Sequence, residues 1–198
     1  DINQTANLSK VLTFETSISV CNRVKSSLAY SYLCSSLVNP SSRVLDLGSH
    51  HGMVGHFLSR CTNKRTVLVE CNPEAWHFAS RFTSLFSKTE IASEYFSLGD
   101  VFYFYGAVSL DLALTDFGLS DSKSVSNSLY RSMVNNPSRS IKVPTFPYTD
   151  IFNLFTPDFV KLNIEGCDIA IIESIISFGK SNLKKIPNSM IFEVSPNN

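Results

Sequence analysis

The chain has little of several features that mark common classes of protein. Its 198 residues include 17 lysines and arginines and 17 aspartates and glutamates, so neither sign of charge is in excess. This balance does not favour nucleic acid or an anionic membrane as a partner, and RNA binding would need a local basic groove. No apolar run reaches the length of a membrane span, and the first residues lack the charged-then-apolar order of a signal peptide. The composition therefore argues against transmembrane and strongly basic proteins.

Paired cysteines and metal-ligand spacings are also missing. Five cysteines occur, none at a spacing typical of a disulfide framework: Cys21, Cys34, Cys61, Cys71 and Cys167. They are interpreted as small buried apolar residues of a protein in the reducing cytoplasm. Histidines close to one another in the chain do not follow metal-binding spacing either, and we predict no metal site from His50, His51, His56, His77 and Cys71.

What the chain does contain is a regular alternation of apolar segments. With 43% hydrophobic and 17% charged residues, it is long enough for one α/β domain with a full core. Alternating strands and helices predict a mostly parallel, doubly wound sheet with helices on both faces. Residues 1–40 are predicted to form an N-terminal segment with an amphipathic helix at 23–38. Residues 41–198 are predicted to form the α/β domain. The Ser- and Asn-rich segment 120–140 predicts a loop or lid. A first residue other than Met is typical of a piece of a longer polypeptide.

The most informative stretch is residues 43–52, with the sequence RVLDLGSHHG. It predicts a buried strand ending at Asp46, a glycine turn, and a helix from Met53 to Cys61. Such a strand, turn and helix form a cofactor cradle, because glycines allow close backbone approach and the helix start offers free N–H groups. The spacing Gly-x-x-x-Gly-x-x-Gly differs from the dinucleotide pattern and favours S-adenosylmethionine. Asp46 would lie near its cationic amino acid part, and the turn residues expected at the cofactor are Gly48, Ser49, His50 and Gly52.

The next strand, residues 66–70, supplies a second acid. Glu70 falls about 20 residues beyond the glycine turn, where a ribose-binding carboxylate is expected. We expect Cys71 and Asn72 beside the cofactor as well. Asn72 is also a predicted N-cap, followed by Pro73 as the first residue of a helix that ends at Phe86.

Two later segments also carry specific predictions. Residues 141–146 predict an edge strand because Pro144 and Pro147 cannot donate to a ladder. A helix is predicted from Asp168 to Phe178, with Gly179 as its stop. Its inward face is predicted to consist of Ile169, Ile172, Ile175 and Ile176.

Residues 157–168, PDFVKLNIEGCD, resemble the Lys-x-Asp-x-Glu-Gly signature of the FkbM family of S-adenosylmethionine-dependent methyltransferases. The glycine turn at 46–52 is similar to that family's first motif, and segments 69–73 and 191–194 resemble two further motifs. The resemblance covers about residues 40–196. It implies a Rossmann-like class I methyltransferase fold, S-adenosyl-L-methionine as cofactor, and O-methylation of a hydroxyl on a small molecule, sugar or glycan.

The resemblance also suggests roles for individual residues. Ala107 and Val108 lie in a stretch similar to the one that family members place against the adenine. Lys161, Asn163 and Glu165 alternate along a strand and its exit, so their side chains point to one side. We interpret these three as catalytic: Asn163 would position the cofactor or acceptor, and Glu165 would accept or orient the proton.

The chain departs from the family pattern at two points. Asn163 stands where the family usually has aspartate, so this position carries no charge. The chain also ends soon after its fifth predicted strand, whereas methyltransferase sheets commonly continue into an antiparallel hairpin. Either that hairpin is missing or residues 110–147 supply it.

Two alternative functions remain open. RNA 2′-O-methyltransferases of the FtsJ type use a Lys-Asp-Lys-Glu tetrad, and residues of these types occur here in the same order: Lys25, Asp116, Lys161 and Glu193. A third class is a binding or scaffold domain that kept the fold and lost the chemistry, which the uncharged Asn163 suggests.

Overall fold

The structure is a computed structural model that describes residues 28–86, 95–98, 101–120, 137–164, 167–181 and 186–192. Its strands are β1 (Val44–Leu47), β2 (Thr66–Glu70), β3 (Tyr95–Leu98), β4 (Val101–Tyr105), β5 (Ala107–Ser109), β6 (Ala113–Ser120), β7 (Pro137–Pro147), β8 (Phe159–Leu162) and β9 (Ser189–Phe192). Its helices are α1 (28–35), α2 (Met53–Leu58), α3 (Pro73–Phe86), α4 (Tyr148–Phe155) and α5 (Asp168–Ser181).

A six-stranded sheet in the order β3-β4-β2-β1-β8-β9 forms the centre of the described part. All neighbouring strands in it are parallel except β3, which runs antiparallel to β4. Every residue of β1, β2 and β8 is buried, which explains their nearly continuous apolar sequences. The carboxyl ends of β1, β2, β4 and β8 therefore meet at one edge of the sheet.

Helices cover both faces of this sheet, as the sequence predicts. One face packs against α4 and α5 in a cluster that includes Leu45, Val69, Leu162, Phe152 and Ile171. On the opposite face, α1 and α2 contribute Cys34 and Leu58 to a cluster with strand residues, and α3 contributes Ala79 to another. The predicted α/β architecture with a mostly parallel sheet is confirmed. No helix among the described residues has both the length and the apolar character that crossing a membrane requires.

A second, three-stranded sheet in the order β5-β7-β6 lies beside the first. Strands β6 and β7 pair antiparallel, so residues 110–147 do supply an antiparallel pair, although in a separate sheet. The loop predicted at 120–140 falls mostly on residues 121–136, which lie outside the described part. At its two ends, Ser120 belongs to β6 and Pro137 begins β7.

The prediction of an edge strand at 141–146 is wrong, since β7 is the middle strand of its sheet. The middle position of β7 is compatible with its prolines because β5 is short and pairs only with Thr145–Pro147. Over the earlier part of β7, including Pro144, pairing among the described residues is with β6 alone. Pro144 therefore lies beyond the β5 pairing, in a locally edge-like position.

Two helix boundaries also differ from the predictions. Helix α2 ends at Leu58 rather than Cys61, and α5 continues through Gly179 to Ser181. Gly179 serves close packing, because a Cβ there would lie 2.5 Å from Cγ1 of Ile186. The inward face of α5 is also rotated from the prediction: Ile171 and Ile175 are buried, Ile172 is partly buried, whereas Ile169 and Ile176 are each 52% exposed.

Candidate functional site

The glycine turn after β1 has a left-handed backbone at three positions. The φ angles are 72° at Gly48, 52° at His50 and 75° at Gly52. At Gly48 no side chain would fit, because a Cβ would lie 1.7 Å from the backbone oxygen of Asn163. The backbone of the turn is therefore in direct contact with the chain that leaves β8. Only glycine permits so close an approach.

Hydrogen bonds from neighbouring strands fix the path of this turn. The N–H groups of Gly48 and Ser49 both donate to the carbonyl of Val69 on β2, at 3.0 Å each. On the other side, the N–H of Asn163 donates to the carbonyl of Leu47 at 3.0 Å. The turn is thus held between β2 and the exit of β8.

Glu70 ends β2 directly beside the turn, with its carboxylate buried. One carboxylate oxygen accepts the N–H of His50 at 2.7 Å, and the other accepts those of Cys71 at 2.9 Å and Asn72 at 2.7 Å. Burial raises the pKa of Glu70, and these hydrogen bonds oppose the rise because they stabilise the charged form. Oδ1 of Asn72 accepts the N–H of Glu74 at 2.9 Å, which confirms Asn72 as the N-cap of α3.

A buried ion pair joins β1 to β8 at the same edge. Nζ of Lys161 lies 2.9 Å from Oδ1 of Asp46, with the two side chains 7% and 0% exposed. The same Nζ donates to the carbonyl of Gly48 at 2.7 Å. Cys34 of α1 lies close enough that burial, followed by the charge of Asp46, raises the pKa of its thiol to about 11.

Aromatic side chains line the face of the sheet under the turn. The fully buried Tyr103 of β4 donates its phenol O–H to the carbonyl of His50. Burial, together with the charge of Glu70, raises the pKa of Tyr103 well above its usual value. The rings of His50 and His51 lie 3.9 Å apart, and that of His51 lies 4.3 Å from Phe78 of α3.

Most of the predicted cofactor residues meet at this edge: Asp46, Gly48, Ser49, His50, Gly52, Glu70, Cys71 and Asn72. Lys161 and the half-buried Asn163 lie on the adjoining β8 and its exit. Ala107 is buried in a cluster with other residues of the three-stranded sheet. Val108 is buried in a cluster that includes residues of α4. Glu165 falls outside the described residues.

Sequence reasoning missed two features of the site. It did not pair Lys161 with Asp46, although a lysine inside an otherwise apolar buried strand requires an acid partner. It also gave Tyr103 no role at the glycine turn. That role depends on the register of β4 against β2, in which Tyr103 lies opposite Leu68 and therefore faces the same side as Glu70, and local sequence does not encode this register.

The residues of the alternative tetrad do not meet in the described part of the chain. Asp116 lies on β6 of the second sheet, 66% exposed, with an ion pair to Lys142 at 2.9 Å. Lys161 lies in the central sheet and pairs with Asp46. Lys25 and Glu193 lie outside the described residues. Within the described ranges, no group of three or more His, Cys, Asp or Glu residues is arranged to hold a metal ion.

A mostly parallel open sheet, with a glycine turn between two acid-bearing strands at its carboxyl edge, defines a Rossmann-like domain, a class in which ligands bind at that edge. The sequence model of the family described as Methyltransferase FkbM domain matches residues 46–198. The chain therefore belongs to the FkbM methyltransferase domain family, as its motifs predict.

Among solved structures, the crystal structure of Methyltransferase FkbM from Methylobacillus flagellatus KT is similar to this chain. The two share 11% sequence identity with a TM-score of 0.47, over 74% of this chain and 32% of that one. This chain thus spans about a third of the length of that protein. Among curated proteins, none matches the chain.

Proposed function

We propose that this domain binds S-adenosyl-L-methionine at the glycine turn and transfers its methyl group to a hydroxyl oxygen of a small molecule, sugar or glycan. The observation that carries the proposal is the closure of the turn onto Glu70, in a chain of a methyltransferase family. It places an acid-ended strand next to a glycine turn in the arrangement that binds nucleosides at the edge of open α/β sheets.

The residues at this edge fit such a cofactor. Glu70 offers carboxylate oxygens at the end of β2, where ribose hydroxyls could donate. Asp46 contributes a second buried carboxylate, and within the described residues its Oδ2 accepts no hydrogen bond. The charge of Asp46 is already paired with that of Lys161, so Glu70 is the acid proposed to bind the cofactor. When bound, the cofactor supplies a methyl group that is electrophilic because it is attached to a sulfonium.

The acceptor would lie on the β8 side of the turn. Asn163 follows β8, with its backbone against Gly48, and its amide can both donate and accept hydrogen bonds. We assign it the positioning of the cofactor or acceptor. Glu165, two residues further on, is the proposed proton acceptor or its orienter for a hydroxyl that loses its proton on methylation.

Titration calorimetry with S-adenosylmethionine and its demethylated product tests the cofactor assignment. We expect both ligands to bind to the wild-type protein, and the product to bind at a single site. Failure of both ligands to bind would overturn the proposal and leave a scaffold domain as the better description. Binding of RNA that weakens steeply with salt would instead identify RNA as the acceptor.

The role of Glu165 is tested by Glu165→Gln. The amide cannot take a proton, so we expect turnover to fall by about 100-fold or more while cofactor affinity stays near wild type. Transfer of a labelled methyl group to a panel of hydroxyl compounds measures turnover. Glu173→Gln, at an exposed position on α5, is the matched control and should leave turnover unchanged. Equal turnover in the Glu165 variant and wild type would remove Glu165 from the mechanism.

The cellular compartment is proposed on the cysteines alone. Cys34 and Cys71 are buried thiols, and Cys61 is a free, partly buried one. Burial raises the pKa of all three, which keeps them as unreactive thiols. We infer a reducing, cytoplasmic environment, and mass spectrometry of the protein isolated with a thiol-trapping reagent would check it.

A further inference from the structure

We propose that Lys161 is a positioning residue that holds the glycine turn in its ligand-binding shape, and not a group that exchanges protons with the substrate. The inference rests on the proposed function, since it concerns the turn that would bind the cofactor. Its basis is one buried ammonium with two contacts: an ion pair with Oδ1 of Asp46 at 2.9 Å and a hydrogen bond to the carbonyl of Gly48 at 2.7 Å.

Stability alone does not account for this ion pair. Asp46 and Lys161 are paired in register on adjacent strands, and both side chains are almost completely removed from water. Desolvation of two charges largely cancels their attraction, so an apolar pair of similar volume could join the strands as well. An apolar side chain could not, however, donate a hydrogen bond to Gly48. The contact that requires a lysine is therefore the one with the turn.

Gly48 is held through both of its peptide groups. Its N–H donates to Val69 of β2, and its carbonyl accepts from Lys161 of β8. His50 is held in the same way, because its N–H donates to Glu70 and its carbonyl accepts from Tyr103. Val69, Glu70 and Lys161 belong to β2 and β8, the strands on either side of β1. Tyr103 belongs to β4, the strand beyond β2. A loop that is fixed before the ligand arrives loses little conformational entropy on binding, which strengthens affinity.

The surroundings of Lys161 also argue against proton exchange with a substrate. Among the described residues its ammonium contacts the carboxylate of Asp46 on β1 and the carbonyl of Gly48 in the turn. Its side chain is only 7% exposed, so a substrate has little access to the ammonium. The lysine therefore acts through Gly48.

A second ion pair between the same strands provides a matched control. Arg43 precedes β1 and Asp158 precedes β8, and Nε of Arg43 lies 2.9 Å from Oδ2 of Asp158. This pair joins the two strands at their amino ends, away from the glycine turn. Arg43→Met should therefore weaken the joint between β1 and β8 without changing the turn.

The experiment compares four variants with wild type by titration calorimetry with the demethylated cofactor product, and measures the stability of each by urea unfolding. The variants are Lys161→Met, Arg43→Met, Asp46→Asn, and Asp46→Asn combined with Lys161→Met. We expect Lys161→Met to weaken binding by about tenfold or more, the loss typical of one hydrogen bond to a charged group. Arg43→Met should change affinity less than about twofold even though it lowers stability.

The two Asp46 variants keep the test decisive if Lys161→Met alone fails to fold. Asp46→Asn keeps the donor to Gly48, whereas the double variant removes it, and neither leaves a buried carboxylate without its lysine. The double variant should bind about tenfold more weakly than Asp46→Asn. Because Lys161 does not touch the reacting atoms, turnover at saturating cofactor should fall by less than affinity does.

The outcomes separate this inference from the proposed function. If the double variant binds as tightly as Asp46→Asn, or if Arg43→Met weakens binding as much as Lys161→Met, the positioning role is overturned while the cofactor assignment stands. If wild type does not bind the product or S-adenosylmethionine, the proposed function is overturned and this inference with it.

Discussion

Glu70 serves the fold before any ligand arrives. Its carboxylate accepts three backbone N–H groups, two from the chain that follows it and one from His50 in the turn. Charge-assisted hydrogen bonds of this kind are stronger than neutral ones and offset part of the cost of burying the charge. A single side chain thus joins the end of β2 to the turn after β1. The acid that would bind the cofactor also shapes the turn that receives it.

His56, on α2, predicts a pH dependence of stability. Burial, followed by the nearby charge of Arg60, lowers its pKa from 6.5 to about 4. Between these two values the unfolded chain binds a proton and the folded chain does not, so the free energy of unfolding falls as pH decreases through this window. From pH 7.5 to pH 5 the loss due to His56 should be about 2 kcal/mol.

The contribution of His56 can be isolated by comparison with His56→Gln, whose side chain does not titrate. The comparison with the variant is needed because Glu70 also makes stability depend on pH. Burial raises the pKa of Glu70 above its unfolded value of 4.5, so the contribution of Glu70 to stability falls as pH increases above 4.5. Urea unfolding of both proteins at pH 7.5 and pH 5 measures the contribution of His56. The prediction is wrong if wild type and variant lose the same stability on acidification.

At the scale of residues, the sequence identifies which residues belong to the site better than it identifies the contacts between them. Gly48, Glu70 and Asn72 follow from local patterns, because a strand end, a turn and an N-cap are each set within a few residues. The ion pair between Asp46 and Lys161 joins positions far apart in the chain, so it depends on the register of β1 against β8. No local pattern encodes that register, which is why the pair escaped prediction.

At the scale of elements, two glycines differ sharply in what they require. Gly48 has a φ of 72°, and an added Cβ would meet the backbone oxygen of Asn163, which cannot rotate away. Gly179 lies in helix α5, and an added Cβ would meet the side chain of Ile186, which can change rotamer. The first position excludes a side chain by backbone geometry, and the second only by packing.

We therefore expect Gly48→Ala to cost more than about 4 kcal/mol, or to prevent folding, because it combines a left-handed backbone with a backbone clash. Gly179→Ala should cost less than about 2 kcal/mol, since the higher helix propensity of alanine offsets part of the clash. Urea unfolding of both variants measures the difference. Similar stabilities of the two variants would show that the turn can move away from β8.

The elements that the sequence predicts correctly are those with a distinctive burial pattern. Strands β1, β2 and β8 are buried on both faces and appear as short apolar runs, which local sequence reveals. The inward face of α5 was predicted correctly at Ile172 and Ile175 and wrongly at Ile169 and Ile176, because isoleucines occur around much of this helix and the sequence alone does not select one stripe. Packing against α4 and the sheet selects Ile171 and Ile175. Tertiary contact decides where local periodicity is ambiguous.

At the scale of the whole molecule, apolar contacts join the second sheet to the central one. Cys71, which follows β2, packs in one cluster with Phe117, Leu119 and Val143 of the second sheet. An ion pair between Arg139 and Glu74 also spans the two parts, but both side chains are more than half exposed, and such pairs contribute little. The position of the second sheet therefore depends on its buried side chains.

This arrangement predicts that both sheets unfold as one cooperative unit. Val143→Ala removes two methyl groups from a fully buried position in the second sheet and should cost about 2 kcal/mol. Trp76, the single tryptophan, packs against Tyr103 and Tyr105 of the central sheet, so its fluorescence reports on that sheet. If the sheets unfold together, tryptophan fluorescence and far-ultraviolet circular dichroism should give the same lowered midpoint in urea.

Leu114→Ala is the matched control for this prediction, because Leu114 lies on the same second sheet but is largely exposed. Its loss should change stability by less than about 0.5 kcal/mol. A tryptophan transition that stays at the wild-type midpoint in Val143→Ala, while circular dichroism shows an earlier step, would mean that the second sheet unfolds separately. In that case Cys71 and the end of β2 would stay folded without the cluster that covers them, and cofactor binding should survive the loss of the second sheet.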